Sequence, residues 1–121
     1  MKRPIVTSDP LGYDRWDILV APFPFTDMDK KKRRPVLVIS SAEFNQNHRH
    51  VIVAMVTTAA GSKWQTDHSI IDLTPTGLSR PSVVRWKLVT LDFSIIIRRC
   101  GTLSPDDRGL AAARMAGILL G

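Results

Sequence analysis

Short apolar segments, separated by turn-forming residues, recur along most of the chain. Five segments are rich in β-branched and aromatic residues, a composition that favours β-strands. They cover residues 16–25, 35–40, 50–57, 68–73 and 82–91, and residues 94–98 form a shorter candidate. Many short strands at close spacing, with turn signals between them, predict a mainly β fold built as a small barrel or sandwich.

The last part of the chain has the pattern of a helix. Ser104 supplies a capping hydroxyl, Pro105 suits the first helical position, and Asp106 and Asp107 are acids in the first turn. Apolar and small residues then recur at helical spacing, namely Leu110, Ala113, Gly117 and Leu120. This stripe predicts a face that packs either on the barrel or on a second subunit.

Length and composition predict one domain over residues 1–121, because 121 residues with 44% hydrophobic content suit a single core. Residues 1–14 show no periodicity, so we expect a mobile arm there. No apolar run approaches the roughly 20 residues that cross a bilayer, and no apolar signal core is found. We therefore expect a soluble, cytoplasmic protein. Cys100 is the single cysteine, which excludes an intramolecular disulfide.

Positive charge is in excess and is concentrated between two predicted strands. Lysine and arginine number 17 against 11 acidic residues, which gives a formal net charge of +6 and a sequence pI near 10.1. Five consecutive cations are Lys30, Lys31, Lys32, Arg33 and Arg34. A cationic loop anchored by strands predicts a polyanionic partner, and nucleic-acid phosphates, an anionic membrane or an acidic protein would each satisfy it.

Metal and cofactor chemistry find little support in the sequence. His48, His50 and His68 lack the close pairing typical of zinc sites. The chain also has no Gly-x-Ser-x-Gly elbow, no Walker loop and no dinucleotide fingerprint. We predict neither a metal nor a cofactor, and an acid/base role of His48 or His50 on RNA is kept as an alternative.

Arginine and hydroxyl groups are the remaining candidates for phosphate chemistry. Arg34 offers a planar fork of donors that matches phosphate oxygens, and Pro35 restricts it to extended backbone at the start of a strand. Thr57 and Thr58 follow another predicted strand and carry hydroxyl donors. On composition alone, Arg34 is equally well explained as a solvated cation, and strand propensity alone explains the threonines.

The order and spacing of several segments resemble the MazF/PemK-type toxins of type II toxin–antitoxin pairs, most closely the PemK-like branch. The segments are residues 17–27, 33–40, 56–58, 82–84, 88–92 and 101–106. The resemblance implies an SH3-like small β-barrel with a C-terminal helix, usually a homodimer. It also implies a metal-independent, sequence-specific endoribonuclease that cleaves single-stranded RNA, leaves a 2′,3′-cyclic phosphate and a 5′-hydroxyl, and inhibits translation and growth.

The same resemblance assigns roles to residues of this chain. It implies that Arg34 stabilises the charge on the phosphorane and that Thr57 holds the phosphate. Asp27 and Asp29 are candidates for the general base. The chain departs from the family pattern at Trp16, where a glycine is common, and at Trp86-Lys87, where other branches carry Asp-Gln.

We predict that nine residues contact RNA. They are Lys30, Lys31, Lys32, Arg33, Thr58, Ser62, Lys63, Trp64 and Lys87, of which Trp64 stacks on a base. The second partner implied by the resemblance is an acidic antitoxin whose disordered segment folds across the cationic groove, and no membrane partner is predicted. Two other functions stay open: a barrel that poisons DNA gyrase by protein contact, and an RNA-binding module without catalysis.

Overall fold

The computed structural model describes residues 12–23, 32–61 and 63–121. The strands of this part are β1 (Asp17–Pro22), β2 (Arg33–Val38), β3 (His50–Thr58), β4 (His68–Ser69), β5 (Ser82–Asp92) and β6 (Arg98–Thr102). The helices are α1 (Ala42–His48) and α2 (Pro105–Leu120), and short 3₁₀ turns cover Thr74–Thr76 and Phe93–Ile95.

The six strands form one antiparallel sheet in the order β4-β5-β3-β2-β1-β6. The sheet curls into a half-barrel and is followed by the C-terminal helix. The mainly β prediction is confirmed, and the fold is consistent with an SH3-like barrel.

Two apolar clusters pack on the two faces of the sheet, because alternate strand residues point to opposite sides. The helix-side cluster contains Ile18, Leu37, Ile39, Ala54, Val56, Ile70, Val84, Trp86, Leu103 and Ala111. The opposite cluster contains Leu19, Ala21, Phe23, Val36, Val38, Val51, Val53, Met55 and Leu91. Sheet and helix therefore share the helix-side core, and the other face of the sheet is covered by a second apolar cluster.

The structure adds helix α1, which was not predicted from the sequence. Ser41 caps it by accepting a hydrogen bond from Phe44 N at 3.1 Å. Arg49 ends it in the left-handed conformation with φ 54°. The His48-Arg49-His50 segment is therefore a helix end that leads directly into β3.

Two predicted strands are wrong in extent. The strand predicted over 68–73 covers only His68–Ser69, because the amides of Ile71 and Asp72 donate to the carboxylate of Asp107 instead of to a strand. In the candidate over 94–98, Ser94 and Ile95 lie in a 3₁₀ turn, and β6 begins only at Arg98.

Helix α2 begins as predicted, with Ser104 accepting a hydrogen bond from Asp107 N at 3.1 Å. Its packed face is different from the predicted stripe. Asp107, Ala111 and Met115 face the core, whereas Leu110 and Leu120 are 51% and 86% exposed. The alternative in which that stripe covers the barrel is therefore wrong.

Part of the predicted N-terminal arm is packed against the domain. Asn45 donates to the carbonyl of Tyr13 at 2.9 Å, and the Tyr13 ring meets Phe93 edge-on at 4.8 Å between centroids. Residues 1–11 lie outside the described residues. Within the described ranges, no helix is both long and apolar enough to span a bilayer.

Candidate functional site

Arg34 and Thr57 lie on neighbouring strands towards the same end of the sheet. The ladder between β2 and β3 ends at the pair Val36–Met55. Arg34 and Thr57 each lie two residues beyond that pair on their own strand, so both point to the face of the opposite cluster. Both residues are half-buried. The sheet thus brings the predicted phosphate-binding pair to one face.

Arg34 has a small side chain as its neighbour on β1. It lies opposite Ala21 in the ladder between β1 and β2, and directly opposed side chains share a face. Pro35 keeps the preceding backbone extended, which fixes the direction in which Arg34 leaves the sheet.

A bulge in β5 adds a second arginine to this face. The β3–β5 register shifts at the pair Met55–Arg85 and leaves Trp86 and Lys87 as extra residues on β5. Trp86 turns into the helix-side cluster, while Arg85 shares the face of Met55. Bulges commonly lie beside functional sites because they redirect side chains.

Arg85 is buried and forms a two-point ion pair with Asp67. Its Nε and Nη2 atoms donate to the two carboxylate oxygens at 3.1 and 2.8 Å. Burial alone would raise the pKa of Asp67, but hydrogen bonds from Arg85 and Trp64 N, with the charge of Arg85, hold that pKa below its ordinary value. The hydrogen bond to Asp67 raises the pKa of Arg85. The pair therefore stays charged at neutral pH.

Trp64 lies beside this ion pair with its side chain 43% exposed. Arg85 Cζ lies 5.5 Å and Lys87 Nζ 5.3 Å from the centre of its ring. Cations at such distances are attracted to the aromatic face. An exposed aromatic residue with two cations over its ring suits a nucleotide, which has a flat base and an anionic phosphate.

A cavity of about 380 Å³ flanks Thr58. It is lined by Thr58, Ala59, Ala60, Arg80 and Pro81. One wall is fixed by the hydrogen bond from Ala59 N to the Pro81 carbonyl at 3.0 Å. The volume is within the range of small-ligand pockets, and Arg80 adds a cation that the sequence analysis did not select.

The other predicted RNA contacts divide between described and undescribed positions. Lys32, Arg33, Thr58 and Lys63 are exposed, and Lys87 is half-buried. Arg33 belongs to β2 next to Arg34, so the cationic run leads directly to the candidate pair. The predicted positions Lys30, Lys31, Ser62, Asp27 and Asp29 lie outside the described residues.

The three histidines form no common cluster of side chains, although His50 Nδ1 lies 2.7 Å from the His48 carbonyl oxygen. His68 is buried and its Nε2 atom lies 2.8 Å from Asp107 Oδ1, while His50 lies 3.7 Å from Asp92. His48 is exposed at the end of α1. In residues 12–23, 32–61 and 63–121, no group of three His, Cys, Asp or Glu side chains is arranged to hold a metal ion.

Asp67 and Arg85 are the site residues that sequence reasoning missed. Arg85 stands within the apolar run of β5, where a charge needs a buried partner. A charged residue inside an apolar strand could have marked Arg85 as unusual. The sequence does not identify Asp67 as its partner, because only the fold aligns β4 with β5. Trp86 and Lys87, where the chain departs from the family pattern, are the two extra residues of the β5 bulge.

Comparison with known proteins identifies the family and agrees with the fold. Residues 14–119 match the family described as PemK-like, MazF-like toxin of type II toxin-antitoxin system. The chain belongs to this family. Comparison with curated proteins gave no match.

Several solved structures, MazF proteins among them, share the fold. A mycobacterial endoribonuclease in complex with its cognate antitoxin is 16% identical, with TM-score 0.71 over 88% of this chain and 94% of that one. The MazE–MazF complex of Deinococcus radiodurans is also 16% identical, with TM-score 0.68 over 89% and 95%. The Mycobacterium tuberculosis toxin MazF-mt6 is 25% identical, with TM-score 0.63 over 84% and 93%.

Proposed function

We propose that this MazF-like toxin is a metal-independent endoribonuclease that cleaves single-stranded RNA at specific sequences and thereby inhibits translation and growth. The observation that carries the proposal is the placement of Arg34 and Thr57 on one face of adjacent strands. Family membership and the endoribonuclease named among the solved structures support the same activity.

The proposed reaction is an internal transesterification. The 2′-oxygen of the ribose forms a bond to the adjacent phosphorus, and the bond from that phosphorus to the 5′-oxygen of the next nucleotide breaks. A base takes the 2′-proton, and the departing 5′-oxygen gains a proton. The products are a 2′,3′-cyclic phosphate and a 5′-hydroxyl, with no change of oxidation state.

In this reaction Arg34 stabilises negative charge on the phosphorane and protonates the leaving oxygen. A guanidinium suits charge stabilisation because it presents several donors and is charged at any working pH before the reaction. After giving a proton to the leaving oxygen, it regains one from solvent. Thr57 donates its hydroxyl to a phosphate oxygen and fixes the reacting group. Asp27 and Asp29 are the proposed candidates for the base.

Exposed cations around the pair would hold the RNA backbone. Lys32 and Arg33 approach from β2, while Lys63 and Lys87 approach from the side of β5. Contacts of this type supply affinity with little sequence choice. Base recognition would then depend on other residues beside the pair.

The test is incubation of wild type, Arg34→Ala, Arg34→Lys and Thr57→Val with unstructured RNA in excess EDTA. Both new RNA ends are identified chemically. We expect wild type to leave cyclic phosphate and 5′-hydroxyl ends, and Arg34→Ala to cleave at least about a hundredfold more slowly. Arg34→Lys keeps the charge but loses the planar fork, so it should recover only a small part of the rate.

Thermal unfolding of every variant controls for folding. Wild-type rates in a folded Arg34→Ala protein would remove Arg34 from the mechanism. RNA that is bound but left intact would favour an RNA-binding module. Intact RNA without binding would favour the gyrase-poison alternative.

We also propose an acidic antitoxin and a second copy of the chain as partners, as family membership implies. The cationic face suits an acidic segment, and an acidic peptide that binds without displacing RNA would reject this inhibition model. Large apolar side chains stay exposed at the end of α2, namely Ile118, Leu119 and Leu120. A dimer would give a light-scattering mass of twice 13.5 kDa.

A further inference from the structure

The turn over residues 64–67 is held rigidly although it carries an exposed tryptophan. Asp67 N donates to the Trp64 carbonyl at 3.0 Å, and Trp64 N donates back to Asp67 Oδ2 at 3.0 Å. Trp86 Nε1 donates to the Thr66 carbonyl at 2.9 Å. These three hydrogen bonds fix both ends and the middle of the turn.

Asp67 connects this turn to the sheet. Its carboxylate accepts hydrogen bonds from Arg85 of β5 and from the amide of Trp64 at the same time. The side chains of Asp67 and Arg85 are only 6% and 10% exposed, so solvent competes little for the ion pair. The position of the Trp64 backbone is therefore tied through Asp67 to a buried arginine.

A tryptophan that serves only packing would be expected to bury its ring. Trp64 instead stays 43% exposed, although Arg85 and Lys87 lie over its ring. Because the turn is already ordered, a planar ligand that stacks there loses less binding free energy to ordering of the protein. The arrangement is a preformed stacking surface.

This surface is close to the candidate catalytic pair. Thr57 pairs with Val83, and Arg85 is two residues further along β5. Such diagonal neighbours lie about 7–8 Å apart. A base of the nucleotide next to a phosphate held at Thr57 is therefore within reach of the ring.

We propose that Trp64 forms a stacking subsite for one unpaired RNA base beside the cleaved bond, and that Asp67 is a positioning residue that holds this platform through Arg85. The inference rests on the proposed RNA substrate and extends it to a defined base contact. Stacking uses the flat face that every base has, so the subsite requires a base without strongly selecting its identity.

The first experiment tests the base contact with an RNA sequence that wild type cleaves or, if it cleaves none, one that it binds. An all-2′-deoxy version of that oligonucleotide lacks the nucleophile and allows equilibrium binding to be measured by fluorescence anisotropy. A series of such oligonucleotides carries one abasic residue at each position in turn. Wild type, Trp64→Ala and Trp64→Phe are titrated with all of them.

We expect Trp64→Ala to bind the intact oligonucleotide about tenfold more weakly, and Trp64→Phe to keep part of the affinity. At one abasic position the difference between wild type and Trp64→Ala should vanish, because the base that stacks is missing. An equal difference at every abasic position, or no difference at all, would overturn the stacking subsite.

The second experiment tests Asp67 through the sign of its effect. Asp67→Asn removes a negative charge next to RNA, so electrostatics alone predicts tighter binding. A positioning role predicts weaker binding, and no further loss when Trp64→Ala is added. Asp106→Asn is the matched control, since it removes the same charge from an exposed site on α2, and it should not weaken binding.

Tighter binding by folded Asp67→Asn would overturn the positioning role. If Asp67→Asn fails to fold, the exposed Trp64 side chain and the abasic series still decide the subsite. Position-dependent stacking without cleavage would support this inference while rejecting the proposed nuclease. Cleavage without position-dependent stacking would support the nuclease and reject the stacking subsite. If Trp64→Ala weakens binding of an acidic peptide but not of the oligonucleotides, Trp64 contacts a protein partner instead of RNA.

Discussion

Trp16 adopts a backbone conformation that a glycine would adopt more easily. Its φ is 79°, in the left-handed region. The conformation is fixed from both sides, because Trp16 N donates to the Val38 carbonyl at 2.8 Å and its own carbonyl accepts from Leu103 N at 3.0 Å. The family pattern of glycine at this place thus has a physical reason here. The Trp16 side chain packs against the helix-side cluster and offsets the backbone cost.

Two substitutions at this residue separate backbone strain from packing. Trp16→Ala loses the packing and keeps the strain, whereas Trp16→Gly loses the packing and relieves the strain. Glycine within a strand or helix usually destabilises by roughly 0.5–1 kcal/mol relative to alanine. At Trp16 we expect the reverse order, with Trp16→Gly more stable than Trp16→Ala by about 1 kcal/mol. Urea unfolding measures both, and an alanine variant at least as stable as the glycine variant would contradict the strain.

The start of α2 is tied to the sheet through one buried carboxylate. Asp107 accepts hydrogen bonds from the amides of Ile71 and Asp72 at 2.9 and 3.0 Å, and it also contacts His68 and Ser104. Burial alone would raise the pKa of Asp107, but these hydrogen bonds hold that pKa below its ordinary value. The charged form of the Asp107 carboxyl group therefore stabilises the start of α2.

A lowered pKa fixes the pH dependence of this contact. The stabilisation is complete above the unfolded-state pKa, near 3.8, and is lost as the pH falls through the lower folded-state value. We expect Asp107→Asn to lower the free energy of unfolding at pH 7 by about 2 kcal/mol. The difference from wild type should narrow as the pH falls below 4. Denaturant unfolding across pH 2–7 measures it, with exposed Asp106→Asn as the control. A difference that does not change with pH would contradict the role of the charge.

Elements with strong local signals were predictable, and those set by distant contacts were not. The run over 82–91 and the Ser104-Pro105 cap identified β5 and α2 because apolar pattern and capping act locally. The strand predicted to reach residue 73 stops at Ser69, since the amides of Ile71 and Asp72 find Asp107 more than thirty residues later. Helix α1 covers only seven residues, Ala42–His48, and is capped by a single serine. So short a helix shows weak apolar periodicity, so it could not be predicted from the sequence.

At the scale of the whole molecule, some site residues could also be predicted from the sequence, whereas their arrangement could not. Arg34 and Thr57 could be selected from the sequence because each stands beside a strand with fitting chemistry. Their common face needed the β2–β3 register. The link from Asp67 through Arg85 to Trp64 depends on a bulge and on β4 aligning with β5, and neither feature leaves a readable pattern in the sequence.

The net charge of +6 gives a prediction at the same scale. If the cations around the site contact RNA phosphates, each contact releases counterions and adds about 0.7 to the slope of log affinity against log salt for a single strand. Lys32→Gln with Lys63→Gln should therefore reduce that slope by about 1.4. Arg15→Gln with Arg49→Gln removes the same charge from the opposite end of the sheet. Arg49 precedes β3, about 26 Å along the strand from Thr57 at 3.3 Å per residue.

Binding of single-stranded oligonucleotide across a series of salt concentrations compares the two double variants with wild type. The control pair should leave the slope close to the wild-type value, because charges beyond a Debye length of about 10 Å are screened at 0.1 M salt. Equal changes in both double variants would show that the protein attracts RNA through its overall field. A slope that stays at the wild-type value in both would remove Lys32 and Lys63 from the backbone contacts. The phosphate contacts would then have to come from the other predicted cations, such as Arg33 and Lys87.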